Sequence, residues 1–156
     1  MPAHTNPSRG ITLLEILIVI GILGLLVATI IPSFLNFRRN SILNTETQEV
    51  LTLINKARLS AISSKGDMQY GIHLENGKVV LFPGTTYTAG ASSNEEHIFN
   101  ATLSLSSVVV NGGGSNIVFQ KVTGATSQNA TTTLLVTGST ASTTIIIRPT
   151  GIVTIQ

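Results

Sequence analysis

The fold is decided by the stretch from Ile11 to Ile31, which reads ITLLEILIVIGILGLLVATII and carries Glu15 as its only charge. A helix of this length spans roughly 30 Å, at about 1.5 Å per residue, which matches the hydrocarbon core of a bilayer. The run is longer than the apolar core of a secretory signal peptide, about 7 to 15 residues. We therefore predict a membrane-spanning helix over residues 11–31.

Glu15 distinguishes this run from an ordinary membrane anchor. An ionised side chain in hydrocarbon costs about 2.5 to 3.5 kcal/mol at a helix centre and less near the interface, and such a residue usually has a partner. Neither a signal peptide nor a plain anchor supplies a reason for a carboxylate at this position. Glu15 is therefore predicted to pair with a cation.

The amino-acid composition limits the kinds of site that the chain can contain. Across 156 residues only 10% are charged, and nine Lys/Arg against seven Asp/Glu give a formal net charge of +2. The absence of cysteine excludes a disulfide, a thiolate zinc site and a cysteine nucleophile. The mean hydropathy of +0.39 comes mainly from the apolar run. The small net charge gives no support to nucleic-acid binding.

The segment Arg9-Gly10-Ile11-Thr12-Leu13-Leu14-Glu15 resembles the N-terminus of the type IV pilin and type II secretion pseudopilin superfamily. The resemblance implies that residues 1–10 are a leader, that a prepilin peptidase cuts between Gly10 and Ile11, and that Ile11 is then N-methylated. Phenylalanine is commoner than isoleucine at that first mature position. Pro32 and Gly24 match the proline and the helix-loosening glycine of pilin helices, and a bend is expected there.

Cleavage places a positive amine on Ile11, and this amine and Glu15 each need an opposite charge. Within one chain the pair would distort the first helical turn, so we expect Glu15 to meet the amine of a neighbouring subunit and to set the axial register of assembly. A carboxylate tolerated near the lipid headgroups is the simpler alternative.

Orientation rests on the resemblance as well. Arg9 before the run and Arg38 and Arg39 after it would place the C-terminal domain in the cytoplasm by the positive-inside rule. A leader that is cut at the cytoplasmic face implies the opposite. The resemblance thus implies a single-pass protein of the bacterial inner membrane, with its C-terminal domain extracytoplasmic until it enters a pilus or pseudopilus.

Residues 32–63 continue the helix as an amphipathic segment. Leu43, Val50, Ile54, Ala57 and Ala61 recur at helical spacing and predict one buried face. A polar surface is expected from Arg39, Glu46, Glu49, Lys56 and Arg58.

Residues 64–156 are predicted to form a β-rich extracytoplasmic domain, because alternation and turn signals replace the helical period after Lys65. Asn76-Gly77 between two apolar runs predicts a hairpin. Residues 85–96 and 124–132 are expected to be flexible. The fold class is α+β, with a long N-terminal helix packed on a small antiparallel β-sheet domain. The other expected strands cover residues 98–110 (with a possible break), 117–122, 133–137, 143–148 and 152–155.

The strand order and the segment Lys56-Ala57-Arg58 most resemble H-type pseudopilins (GspH) and FimT-like minor pilins. This implies a minor structural subunit of a type II secretion pseudopilus or type IV pilus and not an enzyme. The implied partners are the prepilin peptidase and methyltransferase, other pilin-like subunits, the inner-membrane assembly platform and membrane lipid. The alternative is a DNA- or surface-binding minor pilin at a filament tip.

Other candidate sites are weak. Asn111-Gly-Gly-Gly-Ser115 lacks the Lys-Ser/Thr of a phosphate loop and predicts a turn. His73 and His97 are far apart in sequence without a carboxylate at ligand spacing, which favours surface residues over a metal site. Glu95 and Glu96 are expected in a solvated loop. No cofactor, metal or catalytic residue is predicted, and Arg148 near the closing strand is too isolated to predict a DNA site.

Overall fold

The computed structural model describes residues 10–156, apart from the side chain of Pro32. The chain forms two compact units, the first ending at Arg38 and the second running from Arg39 to Gln156. Helix α1 covers Leu13–Ile62. Most of the predicted leader, residues 1–9, lies outside the described residues.

In the first unit the described side chains from Ile11 to Arg38 are exposed. Leu13 is 81% exposed and Leu25 is 72% exposed. By length and composition, α1 qualifies as a helix that can cross a membrane. Such a surface is unfavourable in water, since burying a leucine or isoleucine side chain contributes about 1.5 to 3 kcal/mol.

In the second unit one face of α1 enters the core, as the helical spacing predicts. Leu43, Val50, Ile54, Ala57 and Ala61 are all at most 4% exposed. Thr47 lies on the same face and is buried, and its hydroxyl donates to the Leu43 carbonyl at 2.7 Å. The polar atom is therefore satisfied locally, and the apolar face stays continuous.

The predicted polar surface of the helix is confirmed only in part. Glu49 and Lys56 are exposed, whereas Glu46 and Arg58 are half-buried. Glu46 is covered because it binds the strand that contains His97, and Arg58 because the loop at Gly124 lies against its side chain.

The β-rich part contains two four-stranded antiparallel sheets. The first has the order β3-β2-β1-β5 and the second β4-β6-β7-β8. The strands are β1 Tyr70–Glu75, β2 Lys78–Pro83, β3 Glu95–Ile98, β4 Leu103–Val110, β5 Asn116–Phe119, β6 Ala130–Val136, β7 Ser142–Ile147 and β8 Val153–Ile155.

The α+β class is confirmed, and so is the hairpin at Asn76-Gly77. Glu75 pairs with Lys78 across the turn, and Gly77 has φ 91°, a conformation that favours glycine. The strand predicted over residues 98–110 is broken into β3 and β4.

The two segments predicted to be flexible, residues 85–96 and 124–132, end earlier than predicted. Glu95 and Glu96 belong to β3, and β6 begins at Ala130. Both segments gain cross-strand partners that local composition does not reveal.

The main core lies between the inner faces of the sheets and α1, with Ile54, Ile72, Ile117, Phe119 and Leu134 fully buried. Strand β2 is buried on both faces. Its outer-facing Phe82 lies beside the ring of Tyr87, and Tyr87 stacks on His73 with ring centroids 3.9 Å apart. The loop after β2 thus covers the outer face of the first sheet.

Candidate processing and assembly site

The peptide bond predicted to be cut lies before the first helical turn. Gly10, Ile11 and Thr12 have no helical or strand structure, and α1 begins at Leu13. Gly10 is exposed, and Ile11 is 72% exposed. The backbone between Gly10 and Ile11 is therefore non-helical and accessible, as a peptidase substrate requires.

Thr12 caps the helix. Its hydroxyl oxygen accepts the backbone N–H of Glu15 at 3.3 Å, and its carbonyl accepts the N–H of Ile16 at 3.3 Å. The spacing Thr12-x-x-Glu15 is that of a capping box, and the structure shows its threonine half, in which the Thr12 hydroxyl accepts the N–H of Glu15. Our reading of the sequence missed this signal, although the four residues are sufficient to find it.

Glu15 is therefore the third residue of the helix, close to the positive end of the helix dipole, where a carboxylate is favourable by about 0.3 to 1 kcal/mol. Its side chain is exposed, and among residues 10–156 it forms no ion pair. The helix thus gives Glu15 a local electrostatic role and leaves its carboxylate accessible to a cation outside this part of the chain.

Gly24 and Pro32 lie within α1, whose helical assignment continues through both positions. Apart from the adjacent residues and the helix's own backbone, no atom of the described residues lies within 4 Å of the place where a side chain at Gly21 or Gly24 would begin. Close packing inside this part of the chain therefore does not require either glycine. The bend at Gly24 and Pro32 stays a prediction.

Two family models match this chain. A model of the prokaryotic N-terminal methylation motif matches residues 5–31. A model of the type II transport protein GspH matches residues 46–151, which is more than half of the chain. The chain belongs to the GspH family.

A solved structure shares the fold of this GspH-family chain. It is the minor pseudopilin EpsH from the Type 2 Secretion System of Vibrio cholerae, with a TM-score of 0.55 and 10% sequence identity over 73% of this chain and 95% of that one. No curated protein matches the chain. The family match and the methylation motif support a pilin-like protein of type II transport, and the solved structure shares its fold. The alternative of a DNA- or surface-binding minor pilin is not favoured.

Within the GspH domain, both histidines have side-chain partners that are distant in sequence. His97 is half-buried, and its Nε2 lies 2.8 Å from Oε2 of Glu46 on the helix. His73 is half-buried too, with Nδ1 2.6 Å from Oδ1 of Asn116. Both were expected to be surface residues and not metal ligands; they are half-buried because the fold brings distant side chains to both. In residues 10–156 no group of three potential metal ligands forms.

On the side of the domain where α1 meets β3, one ion pair joins the helix to that strand and another joins β2 to β3. Lys56 on the helix binds Glu95 of β3 at 2.6 Å, and Lys78 binds Glu96 at 3.2 Å. The hydrogen bond from Glu96 raises the pKa of Lys78 above its ordinary value of 10.5. At the helix end, Lys121 binds Asp67 at 2.7 Å, and this hydrogen bond lowers the pKa of the Asp67 carboxyl below 3.8.

Proposed function

We propose that this GspH-family chain is a minor subunit of a type II secretion pseudopilus, processed between Gly10 and Ile11 and N-methylated at Ile11. One observation carries the proposal: a single chain joins the methylation motif over residues 5–31 to the GspH domain over residues 46–151. The accessible backbone before Leu13 and the exposed apolar helix support it.

The first step of the mechanism is insertion and cleavage. Residues 11–31 hold the precursor in the inner membrane, residues 1–10 remain on the cytoplasmic side, and residues 64–156 lie outside the cytoplasm. The partners at this stage are membrane lipid and the prepilin peptidase with its methyltransferase. Cleavage converts the amide nitrogen of Ile11 into a positively charged amine two residues before the helix begins.

The second step is assembly. The exposed Glu15 carboxylate, without an ion pair in the described part of the chain, attracts the Ile11 amine of a neighbouring pilin-like subunit. Because both charges lie in apolar surroundings, leaving the amine or the carboxylate unpaired costs free energy. Their contact therefore sets the axial offset between neighbouring helices. The inner-membrane assembly platform supplies the subunits. The role is architectural, as expected from a structural family.

The proposal is tested by mass spectrometry of the mature chain together with a secretion assay. We expect a chain that begins at methylated Ile11. Glu15→Ala should be cut and inserted normally but should not support assembly, while Glu49→Ala, a helix carboxylate outside the apolar run, serves as the matched control. An uncut chain, or normal assembly by Glu15→Ala, would contradict the proposal.

A further inference from the structure

Two exposed aromatic residues and an arginine follow the apolar run directly. Phe34 is 63% exposed and Phe37 is 71% exposed, whereas the other three phenylalanines of the chain, all in the second unit, are at most 6% exposed. Arg38, the last residue of the first unit, is exposed as well. Spacings of three and four residues within α1 bring Phe37 and Arg38 to the helix face that carries Phe34. We call Phe34, Phe37 and Arg38 the boundary cluster.

The length of the helix puts the boundary cluster at the level of the lipid headgroups. Residues 11–31 match the hydrocarbon core of roughly 30 Å, and the headgroup layers bring a bilayer to about 40 to 45 Å. Phe34 follows Ile31 by three residues and Arg38 follows it by seven, which is about 5 and 10 Å beyond the core at about 1.5 Å per residue. Helical side chains tilt towards the N-terminus, so a long arginine side chain at position 38 can reach back to the phosphates.

The positive charge of Arg38 is not balanced by the described part of the chain. Arg38 forms no ion pair with any residue from 10 to 156. Between Glu15 and Glu46 the sequence contains no acidic residue, and Glu46 is already bound to His97. A guanidinium group pairs with phosphate through two parallel hydrogen bonds, so a phosphate fits this position both in charge and in geometry.

We propose that the boundary cluster binds the headgroup of an anionic phospholipid. The Arg38 guanidinium donates to the phosphate oxygens, and Phe34 and Phe37 lie at the top of the acyl chains. A zwitterionic lipid is the weaker ligand, because its own ammonium group competes with Arg38 for phosphate. Free inorganic phosphate offers the same oxygens but no apolar surface for the two aromatic rings. This inference rests on the proposed function, in which residues 11–31 hold the chain in the inner membrane, and deepens it by naming the class of lipid.

The test uses tryptophan fluorescence, because the chain contains no tryptophan of its own. The full-length Phe37→Trp chain is placed in vesicles of phosphatidylcholine and phosphatidylglycerol in equal amounts, with bromine on the acyl chains of one lipid at a time. Bromine quenches a nearby tryptophan, so the quenching by each brominated lipid measures how often that lipid lies beside the cluster.

We expect phosphatidylglycerol to be preferred about five-fold, which is the attraction that one basic residue contributes at an anionic surface. Bromine near the ester end of the acyl chains should quench more strongly than bromine at the far end, because the cluster lies at the boundary of the hydrocarbon core. Replacing chloride by inorganic phosphate at the same ionic strength should leave the preference unchanged.

Two charge variants are then compared in the Phe37→Trp background. Arg38→Gln should abolish the preference for phosphatidylglycerol. Arg39→Gln is the matched control, since it removes the same charge from the next residue, which is half-buried and begins the second unit. A step of one residue also turns the side chain by about 100° around the helix, away from the face of Phe34. Arg39→Gln should therefore keep the preference.

Four results would overturn the lipid site. Equal quenching by the two lipids, or stronger quenching from the far end of the chains, would show that the cluster does not bind an anionic headgroup. Equal losses in Arg38→Gln and Arg39→Gln would assign the effect to net charge, and a loss in phosphate buffer would assign it to a free anion. Equal quenching by the two lipids together with failed secretion by Arg38→Gln would assign Arg38 to a carboxylate on another subunit.

The mass of the N-terminus in the same samples separates this inference from the proposed function, because the quenching does not require cleavage. Chains that begin at Ile11 but show no lipid preference refute only the lipid site, whereas uncut chains refute the proposed function.

Discussion

The carboxylate of Glu46 joins helix α1 to strand β3, with Oε2 lying 2.8 Å from Nε2 of His97. The other oxygen of Glu46 accepts the backbone N–H of Asn100 at 3.2 Å. One helical side chain thus holds both the end of β3 and the connection to β4. These partners are separated by about fifty residues in sequence.

Replacing Glu46 by alanine should therefore destabilise the domain by about 1 to 3 kcal/mol, because two donors lose a half-buried acceptor. Thermal or chemical unfolding of the detergent-solubilised chain measures this loss. Glu49→Ala removes the same charge from a nearby exposed position and should change stability by less than about 0.5 kcal/mol. Equal losses in the two variants would show that the contact with β3 is not the cause.

The capping role of Thr12 predicts a local effect. Thr12→Ala should weaken the first turn of α1 by about 1 kcal/mol, while Thr12→Ser keeps the hydroxyl acceptor and should not. Hydrogen exchange at the amide of Glu15, measured in micelles, should become about five-fold faster in the alanine variant. An unchanged rate would mean that the hydrogen bond contributes nothing to the helix start.

Gly71 faces the ring of Phe82, its partner across β1 and β2, and a Cβ at Gly71 would collide with that ring. Gly71→Ala should therefore cost about 1 to 3 kcal/mol of stability by overpacking. Phe82→Leu in the same chain should recover part of the loss, because the smaller side chain leaves room. The free energies of unfolding of Gly71→Ala, Phe82→Leu and the double variant give the coupling energy between the two positions. If the effects of the two single substitutions simply add, the contact between Gly71 and Phe82 is not the cause of the loss.

Acid should remove the contribution of the Asp67–Lys121 pair. The pKa of Asp67 is lowered in the folded chain, so the pair stabilises the fold above the ordinary value of 3.8. This contribution is lost as the pH falls through the lowered value. Asp67→Asn, which tolerates the positive φ of this position, should differ from the original chain at pH 7 and converge with it in acid. A difference that persists at low pH would contradict the assignment.

Alkali should affect Lys78 in the opposite sense. Its pKa is raised by the hydrogen bond to Glu96, so the pair stabilises the fold below pH 10.5 and the contribution is lost as the pH rises through the raised value. Lys78→Gln should therefore approach the stability of the original chain only in strong alkali. Convergence already near neutral pH would contradict the pairing with Glu96.

The sequence by itself determined the features that depend on near neighbours. The apolar run, the capping spacing Thr12-x-x-Glu15, the buried helix face from Leu43 to Ala61 and the hairpin at Asn76-Gly77 all follow from periods of a few residues. The pilin-like N-terminus is equally local, and the family match therefore agrees with the resemblance read from it.

Only the tertiary structure decided which distant segments meet. It divided the strands between two sheets, paired β5 with β1, brought Glu95 to Lys56 and His97 to Glu46, and half-buried Arg58 under the loop at Gly124. It also holds Val122, at a φ of 67°, against the Ala61 carbonyl near the end of α1. These contacts depend on chain crossings and loop closures that no local pattern encodes, because pairing across sheets is chosen by the free energy of the whole packed core.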